Sequence, residues 1–217
     1  MKNKSFSMNK KLCSLIALLL SDGSVYYDKS KRTYCVQFTS NTKSMREYFK
    51  SLITDLFDIT NFSENKCKNA VSIRFFSKKI AEVLFQFSPT YRTLRYSNGK
   101  YPNCKVPDEI KISPKFSAEF LKAFASCDGS ISINRRNSTR VIEITCYHHR
   151  LKNDLFSCLQ TLGIECRICK HSLKISNKTN IKKFADYVGF LKDSLVSDTT
   201  SNFFGEPKLK KLSEALW

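Results

Sequence analysis

The chain repeats itself. Residues 15–25 read LIALLLSDGSV, and 106 positions later residues 121–131 read LKAFASCDGSI. Each copy is an apolar helical run, an Asp-Gly-Ser turn and a strand pattern. At the same spacing Val36-Gln37-Phe38-Thr39 meets Ile142-Glu143-Ile144-Thr145. A helical pattern follows in each copy, over 45–59 and 151–164. Two strands come next, about 59–65 and 70–76 in the first copy, 165–171 and 173–176 in the second. A further helix closes each copy, 78–87 and 181–188. The order α-β-β-α-β-β-α, twice, predicts an α+β fold of two pseudo-symmetric repeats, the covalent counterpart of a twofold dimer. The domains would be 1–88 and 115–217. Between them, 89–114 carries Pro89, Pro102, Pro107, Pro114 and a Ser97-Asn98-Gly99 turn, and reads as a linker. A linker this long should be packed or functional in part.

The 217 residues include 37 Lys+Arg against 19 Asp+Glu, a net charge of +18, with 41% hydrophobic residues and 17 Phe. That apolar content fills a core and excludes a disordered chain. The longest apolar run, residues 12–20, falls short of the roughly 20 residues a membrane span needs. The basic residues 1–11 precede it without a small-residue cleavage site after it, so the expectation is a soluble intracellular protein with no membrane partner. Nine scattered cysteines do not form a secreted disulfide framework. The single tight pair, Cys166-x-x-Cys169, lacks a second pair for zinc. Solubility needs a net charge of only about 2–8. An excess of +18 spread over the whole chain fits a polyanion, and nucleic acid is the expected partner.

The strands alternate. Tyr34, Val36 and Phe38 share one face, and Thr33, Cys35, Gln37 and Thr39 the other. In the second copy Ile142, Ile144 and Cys146 point in, Val141, Glu143 and Thr145 out. One face packs on helices. The other, polar and basic, suits a ribbon that reads the DNA major groove.

The duplicated Asp-Gly helix ends, with this architecture, resemble the LAGLIDADG homing endonucleases in their single-chain, two-repeat form. The resemblance spans about residues 12–190. Leu15, Leu18, Asp22 and Gly23 match the motif in the first copy, Leu121, Asp128 and Gly129 in the second. It implies two motif helices packed at the centre at small residues (Ala17, Ser21, Ala123, Cys127), antiparallel saddle-shaped sheets forming a DNA-binding face, and a monomer. It implies that Asp22 and Asp128, with the carbonyls of Ser21 and Cys127, hold Mg²⁺ or Mn²⁺ beside the scissile phosphates. It also implies polar and basic helpers after the second strand of each repeat: Thr42, Lys43 and Arg46 in the first, His148, His149 and Lys152 in the second. A basic residue after each last helix maps to Lys192, and less well to Arg95. The family commonly has Gln or Lys where Thr42 and His148 stand, and the two copies differ here.

Tyr26, Arg32, Gln37, Arg74, Asn134, Arg136, Arg140, Arg167 and Lys174 fall on or beside the strand faces and are the expected DNA contacts. Lys208, Lys210 and Lys211 read as the solvated face of a short terminal helix. The resulting expectation is a site-specific endonuclease, encoded in a mobile intron or intein-like element, that makes a metal-dependent staggered break in a long double-stranded DNA site. An RNA-binding splicing maturase acting on intron RNA, and a non-cleaving DNA-binding protein, are the alternatives on the same fold.

Overall fold

A computed structural model describes residues 6–134, 136, 139–197 and 201–216. The first repeat runs α1 (Lys10–Ser21), β1 (Gly23–Asp28), β2 (Thr33–Ser40), α2 (Lys43–Phe57), β3 (Ser63–Cys67), β4 (Ala70–Phe76) and α3 (Lys78–Phe87). A short α4 (Asp108–Ile112) leads into the second: α5 (Pro114–Asp128), β5 (Gly129–Asn134), β6 (Thr139–Thr145), α6 (His149–Thr161), β7 (Arg167–Ile168), β8 (Ser172–Ile175) and α7 (Lys178–Tyr187). The last element is α8 (Lys208–Glu214). Each repeat has one four-stranded antiparallel sheet, ordered β1-β2-β4-β3 and β5-β6-β8-β7. The registers match across the repeats: Gly23 faces Phe38 and Gly129 faces Ile144.

The two motif helices make the core. Asn9 caps α1 by accepting from the Leu12 N–H (3.0 Å). Ser113 does the same for α5 at Phe116, and Pro114 takes the first helical position, where its missing N–H costs nothing. Every residue of α1 from Leu12 to Leu20 is buried. A helix apolar all round belongs inside the protein. It packs along α5, where Ala123 and Ala125 are fully buried, and the Ser14 hydroxyl donates to Glu119 Oε1 across the pair (2.9 Å). The sheets lay their apolar faces on the helices through Val36, Phe38, Ile73, Ile142, Ile144 and Leu173, all buried.

Three features add to the sequence expectations or depart from them. First, α2 and α6 begin two residues earlier than their apolar periodicity, because Thr42 and His148 occupy the N-cap positions. Second, the segment 89–114, expected to be packed or functional in part, is built into the core. Tyr91, Cys104, Val106 and Ile110 are fully buried, and the Asp154 carboxylate accepts from the Val106 N–H (2.9 Å) and binds Lys111 (3.2 Å). Third, Cys35 is buried although it points to the polar face of β2, because Tyr26 stands opposite it across the ladder and covers it.

Candidate active site and nucleic-acid interface

Both motif glycines are demanded by close approach. A Cβ on Gly23 would lie 2.7 Å from Leu19 Cα, and one on Gly129 would lie 2.4 Å from the Ala125 carbonyl oxygen. Neither has a left-handed backbone, so neither is a left-handed glycine cap; the motif lets a strand leave along the helix it has just ended. That exit leaves the preceding aspartates at the adjoining C-terminal ends of α1 and α5, with Asp128 half-buried.

The two acids feel each other. Burial first, and then the Asp22 charge, push the Asp128 carboxyl up to about 7. Burial also raises Asp22, against the opposing pull of a hydrogen bond from the Cys127 thiol and the charge of Lys208. Ser21 turns its hydroxyl back onto the Ala17 and Leu18 carbonyls (3.0 and 3.1 Å), leaving its own carbonyl at a helix end where intrahelical donors run out.

A lysine that sequence reasoning assigned to solvent lies here instead. Lys208 is buried, and its Nζ donates to the carbonyls of Gly129 (2.6 Å), Ser126 (2.8 Å) and Ala125 (3.3 Å). A cation on the last carbonyls of a helix opposes the negative end of its dipole. The Phe190 ring flanks the ammonium at 5.6 Å. Burial lowers the pKa of Lys208, while Cys127, Asp128 and Asp22 raise it. The segment after α7 is tied down beside it: the Leu191 N–H donates to Ser126 Oγ (2.8 Å), and the Lys208 N–H to the Ser194 carbonyl (2.8 Å). A polar cavity of about 40 Å³ opens at this point, lined by Asp22, Thr42, Cys127 and Lys208 among others. Lys211 is also buried, over the Phe203 ring (5.3 Å), whereas Lys210 is exposed as expected.

The remaining helper residues divide. Thr42 reaches the cavity, and Lys43 stands exposed one residue on, at the start of α2. Arg46 donates to the Ser40 carbonyl (2.8 Å) and so fastens the β2–α2 turn. His148 is a buried N-cap: its Nδ1 accepts from the Leu151 N–H, and its Nε2 contacts the Pro102 carbonyl at 2.7 Å. His149 is exposed beside Tyr101. Lys152 is buried, with its Nζ on the carbonyls of Cys169 and Lys170 (both 2.7 Å), which holds the β7–β8 turn. Lys192 is exposed in the turn after α7, and Arg95 lies over the Tyr101 ring in the connector.

The outward faces carry equivalent rows. Ser24, Gln37, Arg74 and Ser63 stand side by side across one sheet, and Ser130, Glu143, Lys174 and Arg167 across the other. The Tyr26 hydroxyl lies 3.3 Å from Gln37 Oε1, extending the first row. Lys174 is partnered by Glu143 (3.3 Å). Arg32 sits exposed at the β1–β2 turn with a positive φ of 51°, while Asn134 accepts from the Arg136 N–H (3.0 Å) at the end of β5. Arg140 keeps a buried Nε with no hydrogen-bond partner among the described residues.

Residues 115–189 match the LAGLIDADG-like domain, and residues 13–100 match the WhiA LAGLIDADG-like domain. A replication factor C small subunit of Methanocaldococcus jannaschii is 25% identical over 219 residues; the match takes in 96% of this chain and spans a tenth of that protein's length. Among solved structures, variants of the homing endonuclease I-DmoI align with a TM-score of 0.59 at 15% identity, over 91% of this chain and 95% of theirs. The homing endonuclease I-WcaI, bound to its DNA recognition sequence, aligns at 0.53 and 17%, over 86% and 84%. The N-terminal LAGLIDADG domain of DUF199/WhiA aligns at 0.52 and 13%, over 88% of each chain. With one such domain in each repeat and this fold over nearly all its length, the chain is a two-repeat LAGLIDADG protein.

Proposed function

We propose that the protein is a site-specific DNA endonuclease that cuts both strands at one centre, using Asp22 for one and Asp128 for the other. The observation that carries this reading is the placement of one carboxylate from each repeat at the adjoining ends of α1 and α5, each raised by burial and Asp128 also by its partner's charge. Such a pair calls for a cation. The donors at hand are the two carboxylates and the helix-end carbonyls of Ser21 and Cys127, hard oxygens of the kind Mg²⁺ or Mn²⁺ takes. When bound, the metal supplies Lewis acidity and a nucleophilic water. The chain supplies the rest. Lys208 fixes the end of α5, and its charge stands near the acid pair, where it would offset negative charge gathering on a cleaved phosphate. Thr42 lines the cavity next to Asp22 with a hydroxyl able to orient water.

The rows around Gln37 and Arg74, and around Lys174 and Arg167, would meet base edges and phosphates, with the +18 charge supplying the sequence-independent attraction. Because one chain provides both halves, it would act as a monomer on an asymmetric site. The similarity to a tenth of a replication factor subunit supports an element carried inside a host gene.

A second reading has its own support: the first repeat matches the WhiA-type domain, and Lys208 already places a positive charge beside the acids. That reading is a DNA-binding protein that does not cut. A supercoiled plasmid carrying the host sequence that flanks the gene, joined without the insert, separates the two. Linearisation in Mg²⁺ that stops with EDTA supports the nuclease; tight binding with no cleavage supports the binder.

A further inference from the structure

Three stretches far apart in sequence meet at the start of α6: the connector 89–107, residues 146–153, and the β7–β8 hairpin within 166–174. All three are basic, and none contains an Asp or Glu. The meeting is direct. Tyr101 of the connector packs edge-on against His148 and His149, with ring centres 4.9 and 5.7 Å apart, and Arg150 hydrogen-bonds Asn103. Tyr147 lies on His171 of the hairpin at 4.6 Å. Desolvation, and then the charges of Lys170, Lys152, Arg95 and His149, hold His171 below its ordinary value, so connector, helix and hairpin share one positive field.

Rings and cations alternate on this surface. Arg92 lies over Tyr96 (5.3 Å) and Arg95 over Tyr101 (4.6 Å). Yet Tyr96 and Tyr147 remain 47% and 58% exposed. The surface belongs to one repeat only. The corresponding segment after α7 packs on the start of α2, where the Ser44 hydroxyl donates to the Asp193 carbonyl (2.7 Å), and residues 190–207 include Asp193, Asp198 and Glu206. Asp108, whose carboxyl feels the charges of Lys105 and Arg150, borders this surface, which is otherwise basic and aromatic where its counterpart in the other repeat is not.

We propose that this surface binds an unpaired nucleic-acid strand, with phosphates at Arg92, Arg95 and Arg150 and bases stacked on Tyr96 and Tyr147. A polyanion answers the charge. In a duplex the base faces are already stacked on their neighbours, so exposed rings gain little there, whereas an unpaired strand offers both phosphates and free base faces. The assignment does not depend on cleavage: a strand contact of this kind would exist on a binder as well as on a nuclease.

The test is fluorescence anisotropy of the full chain at one fixed salt concentration, with labelled dT20, labelled rU20 and an unrelated 20-base-pair duplex. Replacing both rings (Tyr96→Ala with Tyr147→Ala) should weaken single-strand binding about tenfold or more and duplex binding less than about twofold. The pair Tyr96→Phe with Tyr147→Phe should keep single-strand affinity, which separates lost stacking from lost folding. Preference between rU20 and dT20 identifies the strand as RNA or DNA. Unchanged single-strand affinity in the alanine pair, or equal losses on both kinds of probe, overturns the proposal.

Discussion

The ammonium of Lys208 lies 2.6 Å from the carbonyl oxygen of Gly129, the residue that follows Asp128. The last helix of the chain thereby grips the end of the second motif helix, where strand, acid and helix terminus meet. Replacing the lysine with methionine keeps a long flexible stem but takes one donor from each of three carbonyls. Lys208→Met should cost about 1–3 kcal/mol of stability and reduce cleavage. Lys210→Met, on the exposed side of α8, should change stability by no more than about 0.5 kcal/mol. Urea titration of the two variants makes the comparison.

The motif glycines should not accept a methyl group. Gly129→Ala pushes a Cβ to 2.4 Å from a backbone carbonyl, and Gly23→Ala to 2.7 Å from a backbone Cα, so strand and helix must separate. Each should lose about 1–3 kcal/mol, read as a lower urea midpoint.

The raised carboxyl of Asp128 makes a pH-dependent prediction for the metal-free chain. Its folded pKa, about 7, lies above the usual carboxylate value of 3.8. The folded state therefore holds the proton more tightly. This stabilising contribution is full below about pH 4 and is lost as pH rises through about 7. Asp128→Asn should raise the thermal midpoint at pH 8 by a few degrees, worth about 1–2 kcal/mol, and by much less at pH 5. Melting curves with EDTA at both pH values check it; equal shifts at the two would contradict it.

The charge balance predicts steep salt dependence. If the basic faces engage about 6–10 phosphates, duplex affinity should fall about 10³–10⁵-fold between 50 and 200 mM salt. Filter binding over that range reads the slope directly, and a flat response would assign the +18 charge to another task.

Much of this was legible in the sequence, for identifiable reasons. The 106-residue repeat placed both motif helices, both acids and the strands after them, because Asp-Gly at a helix end and β alternation are local signals. The helix α3 matched its expected bounds because Ser77 caps it and its apolar face is regular. What escaped is tertiary. Lys208 lies 80 residues beyond Asp128, and no periodicity tells a lysine on a seven-residue helix that it will be buried. Lys152 and His148 were expected as polar and basic helpers at the cleavage site, but the hairpin and the connector fold over them and take up their polar atoms. That the connector would pack in part followed from its length, but not which residues would be buried, since Tyr91, Cys104 and Val106 show no period. Its Asp154 anchor comes from α6 of the second repeat, 48 residues beyond Val106.

The most direct test is single-turnover cleavage of the joined flanking sequence in Mg²⁺, with each strand labelled separately, by the parent chain and by Asp22→Asn and Asp128→Asn, while binding is followed on the same DNA. The proposed function predicts that each substitution abolishes the double-strand break, leaving a single nick at most, with affinity retained. Double-strand cutting at the parent rate in either variant would contradict it.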